Sequence, residues 1–256
     1  MTLHFLGEQL RGEVNGHFNL QRLERGRKPV EMGRYAVERD PQLSTNNLLV
    51  KLKQTLTPVF PANLPASLKD LVATCIQIAQ ENGLPVRNRF IYLTYDTRPF
   101  KKDSTQRNPG WHFDGLQGDE VPVKQPGCYS FLWTNKLPFL YSDQGFSLSG
   151  LNVSKHNVFD SLACQVYEDS VTETIPEHLY LMSCYQMHRA QVAQEDIDDR
   201  LFVRITFSEL AYTSTSMTLN PDIEYPFDPH TTNGEIPKKL RVLSGVGAPI
   251  RLLAHS

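Results

Sequence analysis

The chain has 256 residues, of which 40% are hydrophobic and 21% charged, and its formal net charge is −2. That length can bury a sizeable core within one domain, and so small a charge argues against a protein whose main task is gripping phosphate backbones. No run approaches the ~18 apolar residues of a membrane span, and the opening MTLHFLGEQLRGE has no apolar stretch behind a basic start, so neither a membrane span nor a secretory leader is expected and the cytoplasm is the expected location.

Residues 1–65 are mixed in character. Arg22, Arg25, Arg27, Lys28 and Arg34 form the one basic cluster. It reads either as a solvated face or as a site for an acidic substrate or partner. The polar, proline-containing stretch 38–47 reads as a loop. A helix is then well signalled: Ser67 and Asp70 resemble a capping box. Leu68, Leu71, Val72, Cys75, Ile76 and Ala79 recur at helical spacing. Gly83 and Pro85 stop it.

From about residue 87 the pattern changes to short β-rich runs between turn signals: 89–95, 127–134, 139–142, 162–168, 179–187 and 201–208. Several short strands without intervening helices imply a sandwich or barrel. The stretch 97–109 is rich in Lys, Arg, Asp and Ser and suits a lid. The segment after Tyr212 reads as an irregular cover with one short element at 240–243. The expected organisation is a single domain: an N-terminal mixed part at 1–86, a core at 87–210 and a covering tail at 211–256.

The four cysteines, Cys75, Cys128, Cys164 and Cys184, form no C-x-x-C pair and sit among apolar or strand-like neighbours. Buried free thiols in a reducing compartment are expected. Asn152-Val-Ser matches a glycosylation pattern that has no secretory context here.

The chemistry-bearing pieces come in order. His112-x-Asp114 follows the lid-like stretch. On an extended chain residues two apart point the same way, so an imidazole and a carboxylate can meet one metal; alone, an H-x-D is a weak signal. His188 follows the apolar run 179–187, with three β-rich runs between it and the H-x-D, which is about what a jelly roll needs to return a far strand beside the first. Arg204 lies inside an apolar strand, where its charge is costly unless paired. It shares a face with Thr206. A guanidinium fork and a hydroxyl suit a small dicarboxylate; pairing of Arg204 with an internal Asp or Glu is the alternative. Tyr92 and Thr94 share a face of the run 89–95. Trp111, beside His112, and Trp133 read as pocket walls or core.

Together H-x-D, a distal His and a strand Arg resemble the Fe(II)- and 2-oxoglutarate-dependent dioxygenases across roughly residues 88–210. The resemblance implies a double-stranded β-helix, a cupin-like jelly roll that is mainly β with flanking helices. It implies Fe(II) on His112, Asp114 and His188. It also implies 2-oxoglutarate on Arg204 and Thr206 with help from Tyr92 or Thr94, and O2 as oxidant. Many members carry the arginine ten to twelve positions after the distal histidine; Arg204 lies sixteen beyond His188 and Arg200 twelve, so Arg200 is the second candidate. The intact Asp114 favours hydroxylation, demethylation or desaturation over halogenation. A small-molecule or amino-acid-like substrate is expected, a peptide or protein substrate is the next reading, and nucleic acid is disfavoured by the charge. Two other readings stay open: a jelly-roll binding module without catalysis, and a cupin-type metal enzyme that does not use 2-oxoglutarate.

Overall fold

The structure, a computed structural model, describes residues 10–15, 18–40, 43, 48–53, 57–106, 110–114, 128–152, 156–208, 218–223 and 241–242. Its first strands are β1 (Val30–Arg34) and β2 (Leu48–Lys53), followed by helix α1 (Ala66–Glu81) and strand β3 (Phe90–Asp96). Next come β4 (Tyr129–Thr134), β5 (Leu140–Ser142), the short helix α2 (Val158–Ala163) and β6 (Val171–Glu173). The remaining strands are β7 (His178–Ser183), β8 (His188–Arg189), β9 (Phe202–Ser208), β10 (Thr218–Leu219) and β11 (Arg241–Val242).

An eight-stranded sheet has the order β1-β7-β4-β9-β3-β2-β10-β11, and a three-stranded sheet has the order β6-β5-β8. His112 adds to the smaller sheet through an antiparallel bridge to His188. The middle of the large sheet, β7-β4-β9-β3, is antiparallel throughout. Following the chain from β3 to β9, and counting the His112 bridge as a segment of the small sheet, successive segments alternate between the sheets except where β5 and β6 pair antiparallel in the small one. That is the path of an eight-stranded jelly roll. Among the described residues the protein is mainly β with few helices, as the sequence implies. No helix among them is long and apolar enough to cross a membrane.

Alternation along the strands divides the large sheet into two faces. Ile91, Leu93 and Tyr95, Tyr129, Phe131 and Trp133, and Val203, Ile205 and Phe207 share one cluster with Leu68, Leu71, Val72, Cys75 and Ala79 of α1. Each large apolar side chain buried there stabilises the fold by about 1.5–3 kcal/mol. The opposite face looks into the roll. Across it Thr94 stands opposite Arg204 and Arg204 opposite Leu132, and in the next row Tyr92 stands opposite Thr206 and Thr206 opposite Ser130.

Several expectations are corrected. No side chain caps α1, so Ser67 and Asp70 form no capping box; Pro65 is the N-cap, and its carbonyl accepts from Leu68 and Lys69. The far end matches the expectation: Gly83 adopts φ +66, and Gly83 and Leu84 donate back to Gln80 and Ala79, a Schellman closure. Residues 162–168 are not a strand. Asn157 caps α2 by accepting from Asp160 N, and Val158 and Leu162, one turn apart, are its buried positions. Cys164 is exposed, unlike the other three cysteines, and all four are free thiols.

The stretch 97–109 does not stand clear as a lid over its described part. Phe100 bridges Ile197, Asp103 N donates to Ala193, Ala193 N donates to Ser104, and Lys101 pairs with Asp196 at 2.8 Å. Three members of the basic cluster are bound within the chain. Arg27 meets the buried Glu13 at 2.6 Å, Lys28 meets Asp143 at 3.0 Å and Arg34 meets Glu177 at 2.6 Å. The expected element at 240–243 holds the two-residue β11, parallel to β10. Ser154 of the Asn152-Val-Ser pattern lies outside the described residues.

Candidate metal centre

His188 reaches the small sheet because the run 179–187 is not one strand. β7 ends at Ser183, Cys184 N makes a last bond to Cys128 O, and a turn closed by Gln186 N to Ser183 O follows. The chain then crosses over, and His188 exchanges both backbone hydrogen bonds with His112, each 3.0 Å. Residues paired in that way across an antiparallel bridge lie directly opposite each other. The imidazole rings are 4.4 Å apart at their centroids. Asp114, two positions beyond His112, lies on the same side.

One ligand atom from each of His112, Asp114 and His188 lies within 4.8 Å of the others. Asp114 Oδ1 is 3.8 Å from His188 Nε2. Each imidazole is oriented from behind by its own chain. His112 Nδ1 donates to Gly110 O at 3.1 Å and His188 Nδ1 to Gln186 O at 2.9 Å. A carbonyl can only accept, so Nδ1 carries the proton and Nε2 is left with its lone pair, the arrangement of a metal-ligating histidine. Burial, then the neighbouring His112, pushes His188 down from 6.5 to about 4, so its ring is neutral at neutral pH. Two imidazoles and one carboxylate are the donor set that suits a non-haem Fe(II) with open positions.

Behind Asp114 stands Arg204. Its Nη1 donates to Asp114 Oδ1 at 3.2 Å, and its buried Nε has no acceptor among the described residues. Thr206 and Ser130 share a hydrogen bond of 3.0 Å beside it, and Thr94 and the fully buried Tyr92 complete the polar wall. Leu132, the register partner of Arg204, and Phe202, two residues before it on β9, form an apolar cluster with Phe139, Tyr141, Tyr180 and Met182.

The structure separates the remaining candidates from this wall. Arg200 precedes β9 and is 3% exposed; it donates to Gln106 Oε1 at 2.6 Å and is sandwiched over the rings of Phe100 and Phe202. Burial lowers it to about 10. Trp133 faces α1 on the outer side of the large sheet and donates Nε1 to Tyr35 O at 2.8 Å. Trp111 packs with Phe113 in a cluster outside the small sheet, with the Arg189 guanidinium 4.6 Å from its ring centroid. Neither tryptophan walls the interior, because a strand neighbour of an inward residue points outward. The sequence reading missed Ser130, whose partner Thr206 is known only once β4 and β9 are paired. It also missed the Gly110 and Gln186 carbonyls, each two residues before a histidine.

No protein-family model matches the chain, and no curated protein matches it in sequence. Among solved structures it is similar to EvdO2 from Micromonospora carbonacea var. aurantiaca complexed with 2-oxoglutarate: 14% identity, TM-score 0.36, covering 55% of this chain and 63% of that one. The match thus spans less than two thirds of that protein. The chain is similar to a Pseudomonas putida prolyl-4-hydroxylase at 12% identity and TM-score 0.37, covering 82% of this chain and 100% of that one. It is also similar to an oxidoreductase of the 2OG-Fe(II) oxygenase family from Burkholderia pseudomallei at 12% identity and TM-score 0.35, covering 82% of this chain and 92% of that one.

Proposed function

We propose that the chain is an Fe(II)- and 2-oxoglutarate-dependent dioxygenase. The observation that carries the reading is the convergence of His112, Asp114 and His188 beside the Arg204 guanidinium. His112 and His188 would hold the iron through Nε2 and Asp114 through a carboxylate oxygen. Arg204 and Thr206, backed by Thr94 and Tyr92, would take the far carboxylate of 2-oxoglutarate. Arg204 is favoured over Arg200 because it borders the three ligand residues, whereas Arg200 is engaged with Gln106 and two phenyl rings.

Bound iron would supply the oxidative chemistry, O2-dependent decarboxylation of 2-oxoglutarate to succinate and CO2 coupled to oxidation of an unactivated C–H bond. The chain's own contribution is orientation and exclusion of water. The backbone carbonyls fix both rings, the hydroxyl wall fixes one end of the cosubstrate, and the apolar cluster around Phe139 and Phe202 keeps that side dry. Hydroxylation, demethylation and desaturation all fit a site with its carboxylate in place. A small or amino-acid-like substrate suits the lack of a dominant charge. Four free thiols suit a reducing cytoplasm.

The test is product formation. Iron-loaded protein given 2-oxoglutarate and O2 should release succinate, slowly without substrate and faster with it. Asp114→Ala should lower that release by about 100-fold or more, a loss of at least ~2.7 kcal/mol in barrier terms. Equal succinate from both proteins would sink the assignment of these ligands.

A further inference from the structure

We infer that Arg204 holds the site closed to metal alone and opens it to metal and dicarboxylate together. The inference rests on the reading above and concerns how its two ligands depend on each other.

The carboxylate oxygen that lies toward His188 is already engaged. Asp114 Oδ1 accepts from Arg204 Nη1 at 3.2 Å and is the same atom that lies 3.8 Å from His188 Nε2. The pair is mostly removed from water, with side chains 19% and 14% exposed. Charge therefore counts for more here than at the surface. Asp114 carries one negative charge and Arg204 one positive. A ligating imidazole is neutral, so the four groups sum to zero. A divalent ion added alone leaves these four groups with two uncompensated positive charges and sets a dication against a guanidinium bonded to the same carboxylate. A dicarboxylate adds two negative charges and returns the sum to zero. The buried Arg204 Nε, which has no acceptor among the described residues, gives the guanidinium a donor to offer it.

Each ligand thus removes a cost imposed on the other, and the coupling must act equally in both directions.

The experiment measures the affinity of the full-length protein for Co(II) alone, by calorimetry, in the wild type, Arg204→Met and Arg204→Lys. Arg204→Met should bind Co(II) about tenfold tighter than the wild type. Arg204→Lys, which keeps the cation, should stay near the wild type. Added glutarate, a dicarboxylate with no keto group, should tighten Co(II) binding in the wild type and not in Arg204→Met. Arg204→Gln serves in place of Arg204→Met if the methionine variant does not fold. Unchanged or weaker Co(II) binding in the uncharged variants overturns the inference, since it would make Arg204 a support for Asp114. Failure of the parent reading looks different: the wild type would bind no Co(II) that His112→Ala abolishes.

Discussion

His188 is where local chemistry and fold stability meet. Its ring is buried against His112 and is held down to about 4 from 6.5. As pH falls through about 6.5 the unfolded chain takes up a proton that the folded chain refuses until about 4. Stability present above 6.5 is therefore lost progressively across that interval. The full difference amounts to about 3 kcal/mol. Metal-free protein should melt at lower temperature at about pH 5 than at about pH 7, and His188→Gln should flatten that dependence. Parallel pH profiles for the two proteins would refute the assignment. Arg204 illustrates how a residue can satisfy two readings at once. The sequence left it as either a dicarboxylate fork or the partner of an internal acid, and the acid it meets is Asp114, 90 positions away.

At the scale of elements, local signals were legible where they concern adjacent residues. The end of α1 is the clearest case, because Gly83 alone supplies the left-handed conformation the closure needs. Gly83→Ala should cost about 1–2 kcal/mol, read as a lower Tm with no change in metal binding; an unchanged Tm would mean the closure contributes little. The start of α1 misled because Pro65 presets the first turn without a side-chain cap. Residues 162–168 misled because β-forming side chains outweighed a single capping Asn157 one turn upstream. The break between β7 and β8 was hidden as well: 179–187 is apolar over most of its length, and nothing in its pattern marks where the chain leaves one sheet for the other. Yet that crossing brings His188 to His112.

For the whole molecule, the order of segments was readable because short strands with no helix between them have few ways to bury their faces. Their registers were not, since each depends on a partner far along the chain. β1 and β2 went unrecognised for that reason, and so did the wall formed by Ser130 and Thr206. The inward residues could be listed by alternation, but the same alternation, applied to Trp111 and Trp133, turns both outward. Two sheets closed over a polar wall, with three candidate ligands on one and a guanidinium on the other, form the frame on which the proposed function rests. The most direct test is an anaerobic titration of the protein with Fe(II) and 2-oxoglutarate, followed by the weak visible metal-to-ligand absorption band. The band should saturate at one iron per chain and vanish in Asp114→Ala and His188→Ala. No band, or a band that survives both substitutions, would contradict the account.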